Sequence, residues 1–282
     1  MSGESRGSPL PRIVNAAVLA ALMASSCGAP LMKLPGGPGS PAPDTATAIT
    51  EATRTCQAVS SISAEVAVTG SVGGRSLRTR LLVGLAAPAS ARLEAFAYGQ
   101  QVFIFVARGT DATLLLTRDG RVLEHGRPDA VLEAVTGVPL GASELRGALL
   151  GCAVSPDSDR GRRLGVDWRV VPDGRGELYL RRDPPTAPWR LVAAGHRDPG
   201  RPEWRAEYRR FEGNLPRAIR FVSREPGRFD LRLTLAQVEL NPKLDAAVFE
   251  ARVPPSADPI TIEELRQSGP LAGANASGAD GR

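Results

Sequence analysis

Between Ile62 and Leu240 apolar and polar residues alternate with a period of two, and that alternation is interrupted only once. A period of two places successive side chains on opposite faces, so each segment reads as a strand with one buried face. Ile62, Ala64, Val66 and Val68 form the first such row, against Ser63, Glu65, Ala67 and Thr69. Gly73-Gly74, Tyr98-Gly99-Gln100 and Arg118-Asp119-Gly120 are turn signals between the strand-like runs 77–85, 91–97, 102–106, 112–117 and 121–124. Short strands in sequence joined by tight turns predict an antiparallel meander. A second series follows at 164–171, 176–181, 189–194, 204–211, 218–222 and 229–240. In its last member Phe229, Leu231, Leu233 and Leu235 alternate with Asp230, Arg232 and Thr234, which gives one apolar face and one solvated face.

The interruption lies between the two series, where the period becomes about 3.6. Pro128 opens a short helix with Val131, Leu132 and Val135 on one side, and Gly137 ends it. Ser143 is the expected N-cap of a second helix through Leu145 and Leu149, closed by Cys152. A further helix precedes the first strand. There Asp44 is a candidate N-cap, and Ala48, Ala52, Cys56 and Val59 share a narrow apolar stripe. The fold class is therefore mainly β (α+β). A strongly curved antiparallel sheet with helices on its concave side would bury both apolar faces.

The N-terminus carries a different kind of signal. Arg6 and Arg12 precede an apolar stretch of about eleven residues, 13–23, which is too short to span a bilayer. Ala24, Ser25 and Ser26 then lead into Cys27, the pattern of a bacterial lipoprotein signal in which the cysteine thiol is acylated. An ordinary secretory signal cleaved nearby is the alternative. Residues 28–43 are rich in proline and glycine and read as a tether. Gly28 stands where an Asp would mark inner-membrane retention in enteric bacteria, which leans towards the outer membrane. The expected organisation is a signal peptide at 1–26, a lipidated cysteine and tether at 27–44, one folded domain at 45–255, and a tail at 256–282. That tail holds a short helix near 263–267 followed by a Gly/Ala/Ser-rich end expected to be disordered.

With Cys27 assigned to lipid, only Cys56 and Cys152 remain of the three cysteines. In an exported chain they are a candidate disulfide, with two unrelated buried thiols as the alternative. The net charge is +5, but acidic residues are interspersed with the basic ones and no aromatic-basic stripe occurs, which argues against nucleic acid. The two histidines, His125 and His196, sit in turns or strand ends without metal-ligand spacing and read as surface residues. No nucleophile elbow or phosphate-binding loop is present, so no catalytic residue, metal or enzymatic activity is expected.

One stretch resembles a known family. Leu132-Glu133-Ala134-Val135-Thr136-Gly137-Val138-Pro139-Leu140, continuing through Ser143-Glu144-Leu145-Arg146-Gly147-Ala148-Leu149-Leu150-Gly151, is similar to the lid region of the lipoprotein-localisation (LolA/LolB) superfamily. Arg118-Asp119-Gly120-Arg121 resembles its preceding hairpin. The resemblance follows the element order over most of 60–240 and is specific over about 35 residues. It implies an incomplete barrel closed by a two-helix lid, whose apolar cavity holds the acyl chains of client lipoproteins. It also implies a membrane-contact loop at the turn after 91–97, here Phe96 and Tyr98. The chain departs from the family in having Tyr98 where a Leu is expected, a longer tail after Leu240, and Cys152 rather than Pro after the lid.

Acyl-chain binding needs a continuous apolar lining and no chemistry, because burial yields roughly 0.8 kcal/mol per methylene. Val66, Val68, Leu81, Val83, Leu93, Ile104, Leu114, Leu116, Leu145 and Leu149 are the candidate lining. The alternative is that they pack against one another as core; an aromatic content of 5% leaves few large side chains to fill a half-barrel. The expected function is a monomeric, lipid-anchored receptor on the periplasmic face of the outer membrane. It would accept acylated clients from a soluble carrier, with the acyl lipid on Cys27 joining it to the bilayer and no other cofactor. A lipid-anchored scaffold or envelope-assembly protein of the same fold without acyl cargo is the competing expectation. A bond between Cys56 and Cys152 would restrain one end of the lid and leave access on the 136–140 side.

Overall fold

Fifteen strands form a single open sheet in the computed structural model, which describes residues 30–152, 156–174, 176–197, 199–200 and 202–268. Among the described residues, the unit that begins at Pro35 contains every strand and helix. Cys27 and the signal lie outside the described residues.

After β1 (Ser40–Pro41) and α1 (Thr45–Gln57) comes the first meander: β2 (Ser61–Val72), β3 (Arg75–Ala86), β4 (Ser90–Ala97), β5 (Gln100–Arg108), β6 (Asp111–Leu116) and β7 (Arg121–Gly126). The helices α2 (Pro128–Thr136) and α3 (Ala142–Leu150) follow. The second meander is β8 (Arg162–Leu164), β9 (Trp168–Asp173), β10 (Gly176–Arg181), β11 (Arg190–His196), β12 (Trp204–Glu212), β13 (Leu215–Ser223) and β14 (Phe229–Leu240). The chain ends with β15 (Asp258–Pro259) and α4 (Ile262–Ser268). The two meanders meet where β14 pairs antiparallel with β2, Leu233 opposite Val68 and Leu231 opposite Gly70. At the far edge β15 pairs with β7 in parallel, so the sheet stays unclosed.

Alternation places Ile62, Ala64, Val66 and Val68 of β2 on the buried face with Leu77, Val83 and Leu85 of β3 and Leu93 and Ala95 of β4. That face is covered by helices: α1 against β9, β10 and β11, α3 against β3, β4 and β13, and α2 against β6 and α4. One continuous apolar cluster runs from Ala48 in α1 through the strands to Ile260 and Leu265.

Several sequence expectations change in detail. Asp44 does not cap α1; its carboxylate accepts two hydrogen bonds from the Arg169 guanidinium at 2.8 and 2.7 Å instead. The second lid helix begins at Ala142 rather than after Ser143, and Glu144 reaches back to accept the Gly141 N–H at 2.7 Å. The run 164–171 is a hairpin, β8 and β9, that turns at Gly165. The domain is also longer than 45–255 at both ends. Ser40–Pro41 pairs with β8, and the buried Ile260 and Leu265 bring the C-terminal segment into the core.

Candidate functional site

The concave face does not pack solid. Between the sheet and the lid lies a cavity of about 70 Å³, bounded by residues of β2, β3, β4, β5, β13 and β14 on one side and the lid on the other. Seven expected residues reach it: Val66, Val68, Leu81, Val83, Leu93, Leu145 and Leu149. Ile104, Leu114 and Leu116 do not. On β5 the inward positions are Phe103 and Phe105, with Phe103 lining the cavity, which leaves Ile104 half-buried on the other side. Leu114 and Leu116 are buried in β6, the strand against which α2 packs, and belong to the closed part of the core.

Sequence reasoning missed ten residues that complete the wall: Leu77, Thr79, Phe103, Leu132, Thr136, Val138, Leu140, Phe221, Leu231 and Leu233. Leu231 and Leu233 were visible as an apolar face, but their neighbourhood depended on β14 lying beside β2. The two threonines do not make the wall polar. Thr79 Oγ donates to the Phe96 carbonyl at 2.8 Å, and Thr136 Oγ donates to the Leu132 carbonyl at 2.7 Å. With both hydroxyls satisfied and no titratable side chain in the lining, the cavity offers dispersion contacts and exclusion of water. It can hold hydrocarbon, and it presents no group for acid–base or nucleophilic work.

The lid is fastened at two ends. At one end Cys152, just past α3, is joined to Cys56 of α1 by a disulfide with its Cα atoms 5.7 Å apart, inside the ordinary range for such bonds. Arg146 of α3 adds a hydrogen bond to the Val59 carbonyl at 2.8 Å. At the other end the fastening is lighter. Gly137 terminates α2 in the left-handed region, at φ 77°, and sits against Val72 and Phe229. Glu133 of α2 pairs with Arg228 of the β13–β14 turn at 2.9 Å, both side chains partly exposed. An exposed pair of that kind is worth about 1 kcal/mol or less.

Tyr98 occupies the β4–β5 turn with Gly99, at φ 51° and 78°, the geometry of a two-residue hairpin turn. It is 73% exposed, more than any other large apolar side chain among the described residues. Phe96 is half-buried on the outer face of β4, with the Arg80 guanidinium 5.6 Å above its ring. His125 is exposed beside Asp111, and His196 stacks at 3.9 Å on Trp204, which in turn meets the cavity-lining Phe221 edge-on; neither histidine lines the cavity.

Fold and site together define a class: a half-barrel with an apolar interior under a helical lid. A LolA superfamily protein from Nitrosomonas europaea superposes with a TM-score of 0.52, covering 73% of this chain and 97% of that one at 12% identity. The fold of this protein is LolA-like. A putative outer membrane lipoprotein-sorting protein domain from Vibrio parahaemolyticus aligns over 73% of this chain and 97% of that one, with a TM-score of 0.43 and 12% identity. The lipoprotein LppX from Mycobacterium tuberculosis aligns over 72% of this chain and 98% of that one, with a TM-score of 0.32 and 12% identity. No family model and no curated protein matches the sequence.

Proposed function

We propose that this is a lipid-anchored envelope protein that shelters acyl chains beneath its lid, accepting lipoproteins from a soluble carrier and delivering them to the outer membrane. The observation that carries the reading is the cavity, whose wall is apolar and whose only hydroxyls are internally bonded. The acyl lipid expected on Cys27 would hold the domain at the bilayer, and the Tyr98 turn would touch it.

Magnitudes favour a lid that yields to cargo. At roughly 0.8 kcal/mol per methylene, a dozen buried methylenes contribute on the order of 10 kcal/mol. The Glu133–Arg228 pair opposes opening with only about a tenth of that, and the buried Val138 and Leu140, which opening would uncover, would be covered again by the incoming chain. The 136–140 side is therefore where a chain would enter.

The test is a photo-crosslinker placed at Leu81 or Leu145 and presented with acylated client lipoproteins. Crosslinks to the acyl moiety are expected. The 70 Å³ volume favours a second reading, a scaffold of the same fold without cargo, because it holds only a few water-sized spheres and is too small for a long chain with the lid shut. A dry interior that never crosslinks would establish that reading and end the first.

A further inference from the structure

We propose that the corner of the sheet around Tyr98 is a docking surface for anionic phospholipid headgroups, with Tyr98 at the interface and Arg75, Arg78 and Arg118 around it. This builds on the proposed function by naming the lipid chemistry that the domain meets. It stands on charges the cavity does not use.

Antiparallel pairing places the β2–β3, β4–β5 and β6–β7 turns at one end of the sheet. Gly137 packs against Val72 and Phe229 at that same end, so the lighter fastening of the lid opens towards it. Arg75 follows the first turn directly. Arg80 pairs across strands with Phe96, and Arg78 lies two residues nearer the tip on the same outer face. Arg118 sits in the β6–β7 turn. That turn is tied to β5 beside Tyr98–Gly99 by Thr117, whose Oγ donates to the Gln101 carbonyl at 2.6 Å and whose N–H donates to the Val102 carbonyl at 3.1 Å.

Elsewhere arginine is mostly engaged: Arg169 with Asp44, Arg220 with Asp230, Arg205 and Arg209 with the buried Glu207. Arg75, Arg78 and Arg118 are exposed and form no ion pair or side-chain hydrogen bond among the described residues. Carboxylates share the corner, but most are already paired: Glu65 lies 3.6 Å from Arg80, Glu94 2.6 Å from Arg92 and Glu264 3.2 Å from Arg121. Asp119 adjoins Arg118 in its turn, and Asp258 lies beside that turn with its N–H donating to the Gly120 carbonyl. Among the described residues, the three unpaired arginines outnumber these two unpaired carboxylates.

The combination selects its partner. A guanidinium offers paired N–H donors that match phosphate oxygens. A tyrosine, apolar in the ring and polar at the tip, rests at headgroup depth rather than in hydrocarbon. An acidic protein surface would use the arginines and leave an exposed aromatic at the apex without a role.

The test uses the full chain with Cys27→Ser, so that the anchor does not mask the surface, and phosphatidylcholine vesicles with or without phosphatidylglycerol. Binding is expected only with phosphatidylglycerol, and it should weaken as salt rises. Replacing Arg75, Arg78 and Arg118 by Gln should cost roughly fivefold in affinity per arginine. Arg54→Gln, an exposed arginine on α1, should change nothing. Uptake of a fluorescent fatty acid should be equal in parent and triple variant, since none of these arginines lines the cavity, so a failed cavity reading leaves the vesicle result intact. Equal binding to both vesicles, undiminished binding of the triple variant, or charge-dependent capture by an acidic protein in place of vesicles overturns the proposal.

Discussion

At the scale of single residues, Gly70 shows how closely the two meanders are joined. Its φ is 141°, and a Cβ there would overlap the backbone carbonyl of Asp230 on β14. A carbonyl held in a ladder cannot swing aside as a flexible side chain can, so Gly70→Ala should destabilise the fold by at least about 2 kcal/mol in denaturant titration. One residue further along the same seam, the Asp230 carboxylate accepts hydrogen bonds from Arg220 Nε at 2.8 Å and Nη2 at 2.6 Å. These bonds, with the nearby guanidinium charge, hold the Asp230 carboxyl below the usual carboxylate range. A lowered folded-state pKa contributes stability that is complete above the unfolded pKa and is lost as pH falls through the folded one. Arg220→Gln should therefore be less stable than the parent at neutral pH, with the difference shrinking in acid. A stability gap that stayed constant across that range would show that the pair does not act through Asp230 titration.

At the scale of elements, the lid is the part with the sharpest asymmetry. The disulfide closes a loop across a sequence separation of 96 residues, worth on the order of 4–5 kcal/mol in the chain-entropy view. Paired Cys56→Ser and Cys152→Ser changes should lower the midpoint of unfolding accordingly, and mass mapping without reductant should recover the linked peptides. Glu133→Gln should instead change stability by about 1 kcal/mol or less while speeding acyl-probe uptake, because it loosens only the 136–140 side. Both lid helices were legible in the sequence, since Pro128 and Gly137 frame one and Gly151 ends the other in the left-handed region. Where the sequence misled, two signals competed. In β5 the run Val102-Phe103-Ile104-Phe105-Val106 is apolar on both faces, so a period of two cannot choose its parity. The choice is made by partners, with Phe103 opposite Leu116 and Ala95. Asp44 was a plausible cap by type, but a guanidinium arriving from β9 outbids a backbone N–H for its carboxylate.

At the scale of the whole molecule, local pattern identified the strands and left their order open. Nothing near Val68 says that Leu233 will lie opposite it, because that neighbour is some 165 residues away in the chain. Much of the cavity wall depends on that one pairing, which is why Phe221, Leu231 and Leu233 escaped a reading by periodicity. The C-terminal segment is similar. After β14 the chain runs along the outer face, where Arg92 donates to the Val248 and Glu250 carbonyls at 3.1 and 3.3 Å. It then adds β15 to the edge of β7 and sets α4, with the fully buried Leu265, against α2. A chain ending at Leu240 should keep its sheet signature in circular dichroism but lose protection from hydrogen exchange in α2.

The β14–β2 seam has a further consequence, for the order in which the chain can be made. A ribosome delivers β2 early and β14 near the end, so for most of synthesis β2 has β3 on one side and an open row of peptide groups on the other. Such an edge recruits any strand within reach. A chain that stays unfolded until Leu240 has emerged, as one crossing a membrane unfolded would, never presents that edge.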